Sequence, residues 1–466
     1  MTLVMKFGGT SISESDRIEN VVEIVKKYRN QNEIIVVVSA MSTVTDRLID
    51  IANRTARNEV SEEDIKNTIG EIKERHRRIA KDVIRKDDLD LALIEIGKLG
   101  KELERALTGI LYVGELTPRS LDYIMSFGER LSATIISGAL TKAGLKSKWF
   151  TGFEAGITTS SDFGKATPLW DVTNKKIIEV LPPLLEKHVP VVTGFIAGDA
   201  KGRITSLGRG GSDYTAAIIG SALNADEIWI WTDVDGVMTT DPKIVNDAKV
   251  IPIISYTEAI ELAFFGAKVL HPKTLEPALE KGVPVRVKNT FSPEGQGTLI
   301  VKEQEKSDQI VKAVSVMSDV ALVNVSGSGM IGVPGIAGRI FGSLGRADIN
   351  IFMISQASSE MNISIVIGKS DSEAASKAIE EEFGSENLVK SLNLEKNVSI
   401  IAVIGAGMRG TKGVAARIFT AAAKADVNVL MIAQGSSEVN VSFVVSSKDA
   451  KKAAKALHDE FALAEV

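Results

Sequence analysis

One stretch of this sequence repeats another. Residues Val325–Val366 align with Val403–Val444 at a shift of 78 residues without a gap, and about half of the aligned positions are identical. Gly327-Ser-Gly-Met330 answers Gly405-Ala-Gly-Met408, Arg339-Ile-Phe341 answers Arg417-Ile-Phe419, and Asp348-Ile-Asn350 answers Asp426-Val-Asn428. Self-similarity at a fixed period means one supersecondary unit present twice. Each copy reads strand, Gly-rich turn, helix, strand, strand, helix, so two small α/β modules follow a larger first part. At roughly 150 residues per domain, 466 residues allow about three domains.

The first 300 residues alternate strands with helices. Leu3–Phe7 reads as a strand, Asp16–Tyr28 as an amphipathic helix, and Glu33–Ser39 as an apolar run buried on both faces. Residues 61–111 are charged and helix-prone, and the run Arg75-His76-Arg77-Arg78 reads as a solvated helix face. Val189–Thr193, Glu227–Thr232 and Val285–Val287 read as further strands, with a helix at Asp213–Leu223. This alternation predicts an α/β sheet covered by helices on both faces. It fades near residue 300, where Lys302–Asp308 reads as a charged linker.

Composition excludes several chemistries. There is no cysteine, which removes thiol nucleophiles, disulfides and zinc-thiolate sites, and four histidines supply a metal centre poorly. A net charge of −5 argues against nucleic acid as partner. No apolar run reaches the ~18 residues of a membrane helix, and Met1–Gly9 lacks a signal peptide; a cytoplasmic location is expected. Both repeats contain G-x-G-x-x-G, at Gly327–Gly332 and Gly405–Gly410. A dinucleotide fingerprint needs an acidic residue at the end of the second strand. Asp348 and Asp426 come before that strand, so these glycines are expected to let a turn approach a small ligand or a neighbouring module.

Four clusters carry chemistry. Lys6-Phe-Gly-Gly-Thr-Ser11 puts a lysine at a strand end before two glycines and a helix, which suits phosphate or a tight structural turn. Thr205-Ser-Leu-Gly-Arg-Gly-Gly-Ser-Asp-Tyr-Thr215 offers Arg209 for a bidentate carboxylate grip. In it Gly210 and Gly211 permit close approach, and Asp213 either caps the helix or faces a ligand. Ile230-Trp-Thr-Asp-Val-Asp-Gly-Val-Met-Thr-Thr-Asp-Pro-Lys243 follows a strand, where such sheets bind ligands, and is otherwise an Asx-turn loop. Phe265-Gly-Ala-Lys-Val-Leu-His-Pro272 holds Lys268 in an apolar stretch, snorkelling or functional. Ser39 to Thr45 adds hydroxyls, and Glu129 in Ser126-Phe-Gly-Glu-Arg-Leu-Ser132 is either a surface acid or a partner for an ammonium group.

Taken in order, these clusters, with Gly194-Phe-Ile, resemble the aspartate kinases of the amino acid kinase family over essentially the whole chain, and the repeats resemble that family's ACT modules. The resemblance implies a three-layer αβα catalytic domain over 1–300 with a mainly parallel sheet. Two ferredoxin-like βαββαβ ACT domains then follow at 301–390 and 391–466, with the strand near 309–317 assignable to the second. No dehydrogenase domain follows, so the monofunctional form is expected. It implies transfer of the γ-phosphoryl group of ATP, with Mg²⁺ carried mainly by the nucleotide phosphates and no metal site of the protein's own, to the β-carboxylate of L-aspartate. Lys6, Asp213 and Lys268 would be catalytic. Ser39, Thr45, Glu129, Phe195, Arg209, Gly210, Gly211 and Ser212 would bind aspartate. Lys6, Gly8, Gly9, Thr232, Asp233, Met238, Lys243, Lys268 and Val269 would bind ATP. Met238 stands where the family often has tyrosine, and Lys243 where arginine is frequent. An end-product effector, threonine or lysine, would bind near Asp348, Asn350, Ile351, Gln356, Asn428 and Gln434, in a homodimer or homotetramer joined through the ACT modules. Other readings are a kinase of the same fold acting on glutamate, N-acetylglutamate or a nucleotide, and an inactive amino-acid-sensing regulator.

Overall fold

The computed structural model describes residues 1–266, 272–303, 309–384, 386 and 388–465. Lys268, Val269, His271 and most of the charged stretch Lys302–Asp308 lie outside the described residues. The chain forms two compact units. One comprises Met1–Val237, Pro252–Tyr256 and Val269–Glu303, the other Met238–Ile251, Thr257–Lys268 and Gln304–Val466.

The first unit is built on an eight-stranded sheet. Its strand order is Ser147–Phe150, Val189–Thr193, Glu33–Val38, Thr2–Phe7, Glu227–Thr232, Val285–Asn289, Thr298–Val301, Ile253–Ser255. Every neighbouring pair is parallel except Val285–Asn289 with Thr298–Val301. Sheet residues alternate between two covered faces, which is why the central strands are apolar throughout. Leu3, Met5, Phe7, Val36 and Trp231 join one core under the helices Ser15–Arg29, Val44–Ala56, Glu62–Val83, Lys86–Val113 and Pro118–Lys142. The Gly211–Ala222 helix covers the opposite face, where a β-carbon on Gly220 would meet Ile228 and Val4. A separate three-stranded sheet holds Thr158–Thr159, Ile196–Asp199 and Ile204–Ser206.

The basic run at 75–78 is divided rather than uniformly solvated. His76 is fully buried, Nδ1 lies 2.7 Å from the Ile72 carbonyl, and burial pushes the imidazole down to about 4. Arg75 points inward, donating to the carbonyls of Ser42 and Ser13, both at 2.9 Å. Only the far side of the helix faces water, where Arg78 pairs with Glu14.

The second unit holds the repeats in one six-stranded antiparallel sheet. Its two central strands, Ala313–Ser326 and Ser391–Ile404, are 14 residues long and each serves both repeats. Val311 and Val314 pack in the core of residues 401–463, while Leu392 and Leu394 pack against that of residues 321–383. The G-x-G-x-x-G turns follow these antiparallel strands, and their helices begin only at Ile336 and Val414. A β-carbon on Gly327 would strike the Leu388 carbonyl, and one on Gly405 that of Ile310. These glycines make room for a crossing strand.

Candidate active site

In a parallel sheet the carboxyl ends of the strands fall on one edge, and loops leaving that edge collect the chemistry. Phe7 is in register with Val38 and Trp231, Val38 with Thr193, and Thr232 with Asn289. The loops after these strands are therefore brought together. Phe7 turns into the core and stacks on Trp231, with ring centroids 5.9 Å apart. Lys6, one residue earlier, faces the other way and forms an ion pair with Asp213 in the first turn of the Gly211–Ala222 helix. Both side chains are nearly buried, at 10% and 15% exposure, so this pair is little screened by water. The cap position of that helix is Gly210, in left-handed conformation at φ +73° and with no side-chain cap. Asp213 is thus not a cap; its carboxylate belongs to Lys6.

The glycines explain how the loops close on one another. A β-carbon on Gly9 would lie 2.6 Å from the Ala40 carbonyl, and the Gly9 carbonyl accepts from Ser42 N at 3.2 Å. A β-carbon on Gly194 would lie 2.6 Å from Ser212, and Gly194 N donates to the Val38 carbonyl at 2.8 Å. Phe195, held at φ +66°, donates its amide N–H to Thr215 Oγ1 at 3.1 Å. Asp213, Lys6, Gly8–Gly9, Ala40, Val38, Gly194 and Ser212 so form a closed circuit. Ser39 and Thr45 are half-buried beside it, Thr45 in the first turn of the Val44–Ala56 helix.

Glu129 completes this arrangement from the Pro118–Lys142 helix. It is buried at 3% exposure; Oε1 accepts from Ala40 N at 3.1 Å, and Oε2 has no partner among the described residues. Burial pushes its carboxyl up to about 8, only partly opposed by the Ala40 N–H. Arg209 is exposed and makes no ion pair among the described residues. Thr232 is half-buried and Asp233 exposed; Thr232 Oγ1 donates to the Asp233 carboxylate at 3.3 Å. Met238 and Lys243 fall in the other compact unit.

Two residues missed in the sequence hold the loops. Asp122, fully buried, accepts from Gly164 N at 2.9 Å, Ser206 N at 3.1 Å and Ser206 Oγ at 2.6 Å, tying down the approach to Leu207–Gly211. Arg75 binds the carbonyls of Ser13 and Ser42 on the first two loops. Among the described residues no three His, Asp or Glu side chains converge to hold a metal ion.

In the second unit, Gln356 lines a cavity of about 270 Å³ with Met330, Gly332–Ala337, Glu360 and Ile363. Gln434 lines a repeat-related cavity of about 340 Å³ with Met408, Gly410–Ala416, Glu438 and Val441. Glu360 accepts from Gly332 N at 2.9 Å, and Glu438 from Gly410 N at 2.6 Å. Asp348 turns the chain at φ +55°. Neither it nor Asn350, Ile351 or Asn428 lines these cavities.

Comparison with known proteins bears on both units. The model of the amino acid kinase family matches residues 1–289, and that of the ACT domain matches 323–383 and 401–461. A bifunctional aspartokinase/homoserine dehydrogenase 2, chloroplastic, from Arabidopsis thaliana is 36% identical over 472 residues, covering 99% of this chain and 51% of its own. The chain thus spans about half the length of the bifunctional relatives it matches. Aspartokinase 1, chloroplastic, from the same plant is 34% identical, covering 99% of this chain and 80% of its own. The crystal structure of E. coli aspartokinase III with aspartate and ADP superposes with a TM-score of 0.81 at 28% identity, covering 99% of both chains. The same enzyme with lysine and aspartate gives 0.83 at 29%, covering 98% of this chain and 99% of that one.

Proposed function

Since the chain belongs to the amino acid kinase family and carries tandem ACT domains, we propose that it is an aspartate kinase, transferring the γ-phosphoryl group of ATP to the β-carboxylate of L-aspartate to give 4-phospho-L-aspartate and ADP. One observation carries the substrate reading: a buried glutamate with an unpartnered oxygen binds Ala40 N, and the Ala40 carbonyl abuts Gly9 in the loop that follows Lys6, itself paired with Asp213. That pairs a site for an ammonium group with a site for a transferring phosphoryl group. The aspartate and ADP named for the E. coli structure support it.

The β-carboxylate, with an ordinary pKa near 4, arrives ionised and needs no general base. A carboxylate oxygen attacks the γ-phosphorus, the bond to the bridging oxygen breaks, and ADP leaves with that electron pair. The barrier is the approach of one anion to another, so positioning and positive charge do the catalysis. Lys6 supplies charge to the transferring group and Asp213 holds its ammonium in place. Gly8 and Gly9 let backbone N–H groups reach phosphate oxygens. Arg209 grips the substrate α-carboxylate and Glu129 its ammonium, with Ser39, Thr45, Phe195 and Gly210–Ser212 around it. Thr232 and Asp233 contact the nucleotide, where Mg²⁺ held by the nucleotide phosphates would add positive charge. Of the other residues the resemblance implies for it, Met238 and Lys243 lie in the other compact unit and Lys268 and Val269 outside the described residues.

An amino-acid effector, threonine or lysine, binds the repeats. The Gln356 and Gln434 cavities are the best-formed places for it, and the lysine named for one E. coli structure supports the class. The catalytic domain extends to about residue 300, with ACT domains at 301–390 and 391–466 that exchange their first strands. The molecule is a cytoplasmic homo-oligomer joined through these domains; no described helix is long and apolar enough to cross a membrane. The test is ADP release from Mg-ATP with aspartate, glutamate, N-acetylglutamate and nucleoside monophosphates as acceptors, with and without threonine and lysine. Aspartate alone should support turnover; turnover with another acceptor only, or none, overturns the assignment.

A further inference from the structure

Two buried carboxylates on one helix hold two loops of the site. Asp122 and Glu129 both belong to the Pro118–Lys142 helix. Their spacing in sequence is nearly two whole turns, so both side chains leave the same face, about 10 Å apart along the axis. Glu129 Oε1 accepts from Ala40 N at 3.1 Å, on the loop after the strand Glu33–Val38. Asp122 serves the loop that carries Arg209. Its Oδ2 accepts from Gly164 N at 2.9 Å and Ser206 N at 3.1 Å, and its Oδ1 from Ser206 Oγ at 2.6 Å. Glu129 keeps one oxygen without a partner among the described residues, whereas both oxygens of Asp122 are taken by the protein.

What Asp122 grips is the entrance to the Arg209 loop. Ser206 ends the strand Ile204–Ser206, and the next helix begins at Gly211. Between them Gly208 and Gly210 turn the chain at φ +77° and +73°, and Arg209 is exposed. Glycines that permit such a path do not by themselves hold it, so the loop is placed from its ends. At the far end a β-carbon on Gly194 would lie 2.6 Å from Ser212, which leaves that junction no slack. At the near end Leu207 N donates to the Phe195 carbonyl and Ala166 N to that of Ser206, and Asp122 adds both polar groups of Ser206 together with Gly164. We infer that Asp122 is a positioning residue that sets acceptor length. It fastens the Arg209 loop to the helix that carries Glu129, and so fixes the separation of the groups that grip the α-carboxylate and the α-ammonium. With both α groups placed, only an acid of one length brings its distal carboxylate to the phosphoryl group. This rests on the roles proposed above for Arg209 and Glu129.

The test compares Asp122→Ala with Asp122→Asn in the full chain. Asparagine can keep all three bonds, its oxygen accepting the two N–H groups and its amide donating to Ser206 Oγ. Steady-state kinetics use aspartate and glutamate as acceptors, and amide hydrogen exchange of residues 205–211 is read by mass spectrometry. Asp122→Ala should raise KM for aspartate about tenfold, with KM for Mg-ATP within about twofold of the parent. It should narrow the kcat/KM preference for aspartate over glutamate about fivefold and speed exchange in 205–211 about tenfold. Asp122→Asn should stay within about threefold of the parent on every measure. Should Asp122→Ala not fold, Ser206→Ala removes only the bond to Oδ1, and should raise KM for aspartate about threefold in the same pattern. A folded Asp122→Ala variant with equal rises in both KM values, an unchanged preference for aspartate, or an asparagine variant as impaired as the alanine one overturns the inference. A parent that turns over no aspartate sinks the kinase assignment instead, and the exchange rates then still decide whether Asp122 holds the loop.

Discussion

Two carboxylates beside the same sheet edge are treated in opposite ways. Asp213 is matched by the Lys6 ammonium in a nearly dry setting. Glu129 is buried deeper, with one oxygen on the Ala40 N–H and the other on no described group, and its carboxyl is pushed up to about 8. A buried polar atom without a partner calls for an explanation. The difference matches the roles proposed for them, Asp213 as a permanent partner of Lys6 and Glu129 as a place for a ligand's ammonium group. Asp213 holds something in the protein still; Glu129 becomes satisfied when a cation arrives.

The largest effect expected is on the matched side. Lys6→Ala removes the charge beside the transferring group and strands Asp213. It should lower kcat by about 10³-fold, the scale for losing a preorganised transition-state donor, while KM for aspartate moves only a few-fold. Equal losses in kcat and aspartate affinity would dissolve the distinction. On the unmatched side, Glu129→Gln keeps the shape but not the charge. It should raise KM for aspartate by roughly 30-fold, as for one partner of a buried charge pair, with kcat at saturation within about threefold. A kcat defect at saturating aspartate would move Glu129 into the machinery with Lys6.

How much of this was readable in advance follows from the distance over which each bond acts. The loops around Lys6 and Arg209 announce themselves because a position where a β-carbon would lie 2.6 Å from a neighbouring group requires glycine, as at Gly9 and Gly194. The apolar run at Ile34–Val38 likewise marks a strand covered on both faces. For Asp213 two readings stood open in the sequence, a helix cap and a functional carboxylate, and the ion pair with Lys6 and the left-handed Gly210 at the cap position decide between them. Asp122 and Arg75 left no local mark. Their bonds reach 42 and 84 residues, and 33 and 62 residues, along the chain, and Arg75 hides in a basic run. The grouping of Met238–Ile251 with the repeats was hidden for the same reason. Its motif reads on from a catalytic strand, yet Thr239 Oγ1 bonds buried His458 Nε2, 219 residues away, at 3.1 Å.

The unmatched state of Glu129 also makes a pH dependence. With a carboxyl titrating near 8 in the free protein, only a minority of molecules carry the charge at pH 7. An ammonium ligand favours the ionised form, so binding at neutral pH must release a proton. KM for aspartate should therefore fall by up to about tenfold per unit as pH rises toward 8, then level off. Glu129→Gln should flatten this slope, and a slope surviving the substitution would assign it to another group.

The smallest effect is on stability, and its sign differs from that of an ordinary paired carboxylate. Glu129 titrates near 4.5 when unfolded and near 8 when folded. Between those values the folded state holds a proton the unfolded state has lost, so stability declines as pH rises through that window. Ligand-free protein should lose about 5 °C of melting temperature from this group between pH 5 and pH 8, on the usual scaling for a unit of this size. Glu129→Gln cannot ionise, so its melting temperature should overtake that of the parent as pH rises, although it binds aspartate worse. Aspartate at a fixed concentration well above the parent's KM should raise the melting temperature of the parent at pH 8 more than that of the variant, because stabilisation grows with the ratio of ligand concentration to Kd. Parallel melting curves for the two proteins across pH 5 to 8 would mean that Glu129 is already satisfied in the free protein, and the contrast with Asp213 would fail.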